Sequence, residues 1–194
     1  MIDDSIIVVS GLPRSGTSMM MKMLESGGLE VLADNLRAAD DSNPLGYYED
    51  ERVKQLRDGD HEWLASAIGK VVKVVSPLLE YLPTRHSYKL IFMLRSVDEI
   101  VASQARMLAR NGQGAGAGTD AALAALYHAH LRKAESWLAA QRNLALMYVA
   151  YRDVIEDAEG SAIRIRRFLE VPLDQDAMVR AVDSGLYRER RERL

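Results

Sequence analysis

The chain contains no cysteine, which excludes disulfides, thiol nucleophiles and cysteine-based metal sites. It also has no apolar run near the roughly 18 residues that a membrane-spanning helix needs, so no transmembrane segment is expected. Its first residues, Met1-Ile2-Asp3-Asp4, are acidic and lead straight into a short strand, unlike a secretory signal. Together these absences point to a cytoplasmic protein. An excess of one charge is missing too: 25 Lys and Arg stand against 28 Asp and Glu, for a net charge of −3. With 48% apolar residues, that balance suits neither a disordered chain nor a nucleic-acid coat, so no nucleic-acid partner is expected. No internal repeat is found. The one low-complexity stretch, Asn111-Gly112-Gln113-Gly114-Ala115-Gly116-Ala117-Gly118, reads as a mobile loop at 111–119 inside a single domain that spans residues 1–194. A chain of this length buries about 70% of its unfolded surface.

What is present centres on Val8-Val9-Ser10-Gly11-Leu12-Pro13-Arg14-Ser15-Gly16-Thr17-Ser18, an apolar strand that turns through a glycine-bounded loop into a helix. Backbone N–H groups of such a loop and of the helix N-terminus converge on an anion, and Arg14 adds a full charge. The Gly11-x4-Gly16 spacing is that of a Walker A loop, yet Thr17-Ser18 follows where Lys-Ser/Thr would stand. The lysine that reaches the terminal phosphates of ATP or GTP is therefore missing.

Further along, strands and helices alternate. Strand signals fall at Ser5–Ser10, Leu29–Leu32, Val71–Val75, Lys89–Leu94 and Leu144–Val149. Helix signals fall at Thr17–Ser26, stopped by Gly27-Gly28, then at Asp50–Arg57, His61–Ile68, Val97–Arg110 and Asp120–Gln141, with more helix toward the C-terminus. The pattern predicts an α/β fold: a three-layer arrangement in which a parallel sheet is flanked by helices and ligands bind at the carboxyl ends of its strands. The long polar connection Ala33–Gly46 is of a kind usually reserved for function.

Pro13-Arg14-Ser15-Gly16-Thr17-Ser18 resembles the loop of the sulfotransferases, which binds the 5′ side of 3′-phosphoadenosine 5′-phosphosulfate (PAPS). Arg95 at a strand end, with Ser103 eight residues on, is similar to the pair that holds the 3′-phosphate in that family. The chemistry suits the residues, since a guanidinium offers bidentate contacts to phosphate and a hydroxyl adds a neutral donor. Tyr151-Arg152-Asp153-Val154 resembles the family's Tyr-Glu-Asp-Leu strand end, which implies a nucleobase contact for Tyr151. Similar points run from residue 9 to about residue 172. The resemblance implies the P-loop sulfotransferase fold, PAPS as sulfuryl donor, 3′-phosphoadenosine 5′-phosphate (PAP) as product and no metal.

The departures are specific. Lys73 keeps the lysine of the cytosolic members' Lys-x-His, but Val75 stands where the catalytic histidine would be. His61, His86, His128 and His130 fit no such motif, and His128 and His130 lie two apart on different helix faces, unlike a metal pair. The closing Arg-Lys-Gly element has no match among Arg188, Arg190, Arg191 and Arg193, which alternate with glutamates. By resemblance to the Golgi-type members, Glu49 is the candidate general base, with Asp40 and Asp41 behind it. The competing reading of Glu49-Asp50-Glu51 is charge that stabilises a helix N-terminus. Lys73 would donate to the leaving oxygen, and Arg14 with the amides of Ser15 to Ser18 would neutralise the 5′-phosphosulfate. Tyr47, Tyr48, Trp63, Met19, Met20 and Met107 are either an acceptor pocket or plain core. The expected acceptor is a hydroxyl or amine on a small molecule, carbohydrate or lipid. Two alternatives stand beside this reading: a non-catalytic nucleotide-binding regulatory protein of the same fold, and a P-loop small-molecule kinase.

Overall fold

The computed structural model of the chain describes residues 4–34, 48–110 and 119–182. The glycine-rich segment 111–118, Asp40, Asp41, Tyr47 and the arginines from Arg188 onward lie outside the described residues.

A strand buried on both faces must be apolar at every position rather than at alternate ones. Strand β1 (Ser5–Gly11) meets that demand, with Ile7 and Val9 in one core and Ile6 and Val8 in the other. It sits at the centre of a five-stranded sheet with β2 (Val31–Leu32), β3 (Val71–Lys73), β4 (Ser87–Leu94) and β5 (Leu144–Ala150), in the order β2-β3-β1-β4-β5. Every pairing is parallel, with Val9 opposite Lys73 on one side and Gly11 opposite Met93 on the other. The expected three-layer parallel α/β architecture is the one observed.

On one face pack α1 (Thr17–Ser26), α5 (Tyr151–Glu156), α6 (Ala158–Leu169) and α7 (Gln175–Arg180), around Met19, Met20, Met21, Met23, Leu24, Val154, Ile165, Leu169 and Met178. On the other face lie α2 (Arg52–Gln55), 3-10 turns at Leu56–Asp58, Glu62–Ala67 and Ser76–Tyr81, and α4 (Thr119–Ala140), around Val53, Trp63, Leu64, Leu79 and Leu138. Helix α3 (Val97–Arg110) follows β4 and packs on α4. Each fully buried side chain of this size contributes about 1.5–3 kcal/mol of transfer free energy. One buried cation ties the sheet to the helices: Lys89 of β4 donates to the Leu169 carbonyl (2.8 Å) and to Glu170 (2.9 Å) beyond α6.

Several boundaries differ from the sequence expectation. Strand β2 covers only Val31–Leu32, because Leu29 folds back, its N–H bonded to the Leu24 carbonyl as α1 ends. Strand β3 stops at Lys73, and a 3-10 turn with Pro77 in its first turn begins at Ser76. The helix expected at Asp50–Arg57 is a single α-turn followed by a 3-10 turn, halted by Gly59 at φ 85°. That expected at His61–Ile68 is a 3-10 turn.

Candidate active site

The carboxyl ends of the strands bring the sequence candidates to one edge of the sheet. The loop after β1 contains Pro13 to Gly16, Lys73 ends β3, Arg95 follows β4 by one residue, and Tyr151 follows β5 directly. An open parallel sheet binds ligands at this edge, where helix N-termini point and connections reverse direction.

The loop is shaped by three positive-φ residues, Gly11 (150°), Arg14 (67°) and Gly16 (99°). Neither glycine leaves room for a side chain. A Cβ on Gly11 would sit 2.5 Å from Ser15 Oγ and 2.8 Å from the Met93 carbonyl, and one on Gly16 would sit 2.4 Å from the Tyr151 ring. Gly16 is the N-cap of α1 and supplies no side-chain acceptor. The N-terminus of a helix favours an anion, and α1 presents that end at the loop. The Ser15 N–H closes the turn onto the Leu12 carbonyl at 3.1 Å. Ser15 Oγ is buried with no hydrogen-bond partner among the described residues.

Beside the loop, Arg95 Nη1 donates to the Arg14 carbonyl (3.0 Å) and Nε to Glu99 (3.0 Å), in an ion pair whose side chains are 8% and 12% exposed. Arg14 Nε donates to Ser103 Oγ at 3.1 Å, so residues 14, 95 and 103 form one cluster. The Arg95 guanidinium lies 4.6 Å above the Tyr151 ring, within cation–π range. Tyr151 is 5% exposed, with Gly16 and Arg95 against it; its ring supports the loop from behind.

On the other side of β1, the two proposed proton-transfer groups meet. Lys73 is buried, and its Nζ lies 3.7 Å from the half-buried Glu49 carboxylate. The Glu49 segment is pinned at its backbone: the Asp34 N–H donates to the Glu49 carbonyl (3.0 Å), and the Asp34 carboxylate accepts from the Glu51 N–H (2.7 Å). Tyr48 points elsewhere, donating to Glu25 at 2.8 Å; burial first, and then that carboxylate, push its phenol above the ordinary range. Asp50 is tied by two hydrogen bonds to the Arg52 guanidinium, which holds its carboxyl below the usual range, and Arg52 lies over Trp63. Of the acceptor-pocket candidates, Met19, Met20 and Trp63 are core residues.

Sequence reasoning set aside His130, which the fold places against the turn that follows Lys73. Its Nε2 lies 2.8 Å from the hydroxyl of buried Ser76. Burial first, then Lys133, lower its pKa, against an upward pull from Glu80. The sequence signal was indirect: Ser76-Pro77 starts a helical turn, but nothing in it announces a partner on α4.

A glycine-floored turn stands at a helix N-terminus, with two arginines and a hydroxyl alongside, an arrangement suited to anions. Fold and site together define a parallel α/β protein with a phosphate-loop-like turn at the carboxyl edge of its sheet. The profile described as "Sulfotransferase domain" matches residues 3–192, and the chain belongs to that family, whose chemistry is sulfuryl transfer. Among solved structures it is similar to the sulfotransferase STF1 from Mycobacterium tuberculosis H37Rv, with a TM-score of 0.61, 19% identity, and coverage of 94% of this chain and 73% of that one. The sulfotransferase domain from the curacin biosynthetic pathway gives a TM-score of 0.54 at 15% identity, covering 92% and 78%. Mouse sulfotransferase SULT7A1 complexed with PAP gives 0.54 at 16%, covering 92% and 62%. No curated protein matches by sequence.

Proposed function

We propose that this chain is a sulfotransferase that moves a sulfuryl group from PAPS to a hydroxyl or amine on a small-molecule, carbohydrate or lipid acceptor. The observation that carries the reading is the cluster of Arg95, Arg14 and Ser103 beside the glycine-floored turn. Arg14, the loop amides of Ser15 to Ser18 and the α1 N-terminus would hold the 5′ phosphosulfate, and Arg95 with Ser103 the 3′-phosphate. Bound PAPS would supply the sulfuryl group, with the 5′-phosphate of PAP as the leaving group.

The chain's own residues do the rest. Glu49 is the proton acceptor for the attacking hydroxyl or amine, held at the sheet edge by its backbone link to Asp34. Lys73 keeps a positive charge and a transferable proton at Nζ, next to the strand that opens into the loop. The ion pair of Glu49 with Lys73, 3.7 Å apart, would keep the proton acceptor and the donor to the leaving oxygen on the same side of the site. Catalysis on this plan comes from positioning and charge stabilisation, without a covalent enzyme intermediate.

Calorimetric titration with PAP, ADP and ATP plus Mg²⁺ tests the reading. Micromolar binding of PAP, with far weaker binding of the other two, is the expected result. Preference for ATP with Mg²⁺ would replace it with the kinase alternative. Labelled PAPS with an acceptor panel then separates the enzyme from a non-catalytic binding protein.

A further inference from the structure

We infer that Tyr48 is a positioning residue for the proton acceptor: its left-handed backbone and its tether to Glu25 on α1 aim the neighbouring Glu49 carboxylate at Lys73. The inference rests on the sulfotransferase reading above, in which Glu49 takes the proton of the attacking group.

The first ground is direction. Successive side chains of a strand point to opposite faces, so Lys73 shares a face of β3 with Val71, which lies in the core that α1 covers. Tyr48 packs against that same core, and its hydroxyl donates to Glu25 of α1 at 2.8 Å. Tyr48 and Glu49 are consecutive, yet both turn toward the α1 face, which an extended chain does not allow. The backbone resolves the conflict at Tyr48, whose φ of 51° lies in the left-handed region. A bulky residue stays in that region only where its surroundings hold it there.

The second ground is what holds it. Glu25 accepts from the Tyr48 hydroxyl and is itself paired with Lys22 at 3.0 Å. Glu49 is anchored from another side, its carbonyl accepting from the Asp34 N–H at 3.0 Å just beyond β2. One anchor on α1 and one past β2 thus fix the chain on both sides of the peptide that joins Tyr48 to Glu49. With that peptide set, the Glu49 carboxylate reaches Lys73 Nζ at 3.7 Å. Release of the phenol lets residue 48 relax to an extended conformation, which turns the Glu49 side chain away from β3.

Carbodiimide crosslinking tests this without an acceptor. The reagent condenses a touching carboxylate and lysine amine into an amide, with loss of water, and peptide mass spectrometry measures the product. In the wild-type protein the Glu49–Lys73 product should form, scaled to the Glu80–Lys133 product from a pair 2.9 Å apart on the other face of the sheet. In Tyr48→Phe and in Glu25→Ala that ratio should fall roughly 3- to 10-fold, the population shift expected from losing one hydrogen bond to a charged group. Glu25→Gln, whose amide oxygen still accepts from the phenol, should keep the ratio within about twofold of wild type. PAP affinity, read by calorimetry, should change less than about twofold in all three variants, because no altered group belongs to the phosphate loop. Absence of the Glu49–Lys73 product in the wild type, or an unchanged ratio in Tyr48→Phe and Glu25→Ala, overturns the inference. A matched loss of PAP binding also overturns it, since Tyr48 would then support the whole site rather than Glu49. If thermal melts show Tyr48→Phe unfolded, the contrast of Glu25→Ala with Glu25→Gln decides on the same terms. A wild-type protein that does not bind PAP removes the sulfotransferase reading, while the crosslink ratio still decides whether Tyr48 aims Glu49.

Discussion

His130 should make the stability of this protein depend on pH. Its ring is oriented by the buried Ser76 hydroxyl and is faced by Lys133 on its own helix and Glu80 on the packed turn, which pair with each other at 2.9 Å. Burial and Lys133 lower its folded pKa below the ordinary histidine value. Between the folded and unfolded pKa values the unfolded chain binds more protons. The stabilising contribution is therefore complete above about pH 6.5 and is lost as pH falls through the folded value. Urea unfolding from pH 7.5 to 5 should show stability declining below about pH 6.5, and the decline should be shallower in His130→Asn. His86, lowered mainly by burial, acts in the same direction in both proteins and drops out of the difference. Equal slopes would show that His130 does not carry the coupling. At this scale the sequence was legible for chemistry and silent about pairing: Arg14, Lys73, Arg95 and Ser103 could be named from their resemblance to the family's motifs, but the bonds of Arg14 to Ser103 and of Ser76 to His130 join residues 89 and 54 apart.

Among the elements, the phosphate loop is the most constrained. Alanine at Gly16 would have to accept φ 99° and displace the Tyr151 ring, whereas alanine at Gly28 (φ 101°) meets nothing within 4 Å. Gly28→Ala should therefore cost about 1–2 kcal/mol of backbone strain. Gly16→Ala should cost roughly 2–5 kcal/mol in urea unfolding and abolish PAP binding. Matched losses in the two variants would remove Tyr151 as the loop's support. The periodic elements were readable in sequence to within a residue or two: α1 and α3 match throughout, and β4, α4 and β5 differ only at their ends. Short segments were not, because a run such as Arg52–Gln55 gains its form from packing Val53 and Leu56 beneath Trp63 and Leu79 rather than from its own propensity.

Across the whole molecule, a ligand that binds only the folded chain raises its stability by mass action. PAP at a hundred times its dissociation constant adds about 2.7 kcal/mol, which for a chain of this size is a rise in Tm of roughly 5–11 °C. ADP at the same concentration should give a clearly smaller rise; equal shifts would show that the 3′-phosphate is not read. The parallel sheet itself was legible from alternating strands and helices, while the strand order β2-β3-β1-β4-β5 depends on crossovers that no local pattern encodes. That order has a consequence for the making of the protein. The phosphate loop precedes in sequence the residues that shape it: the ring behind Gly16 comes from Tyr151, and Lys89 of the neighbouring strand is anchored at Leu169 and Glu170. A chain emerging from the ribosome thus carries its phosphate-loop sequence long before it can hold that sequence in shape. The site matures late, and substitutions near the C-terminal helices reach it through time as well as through space.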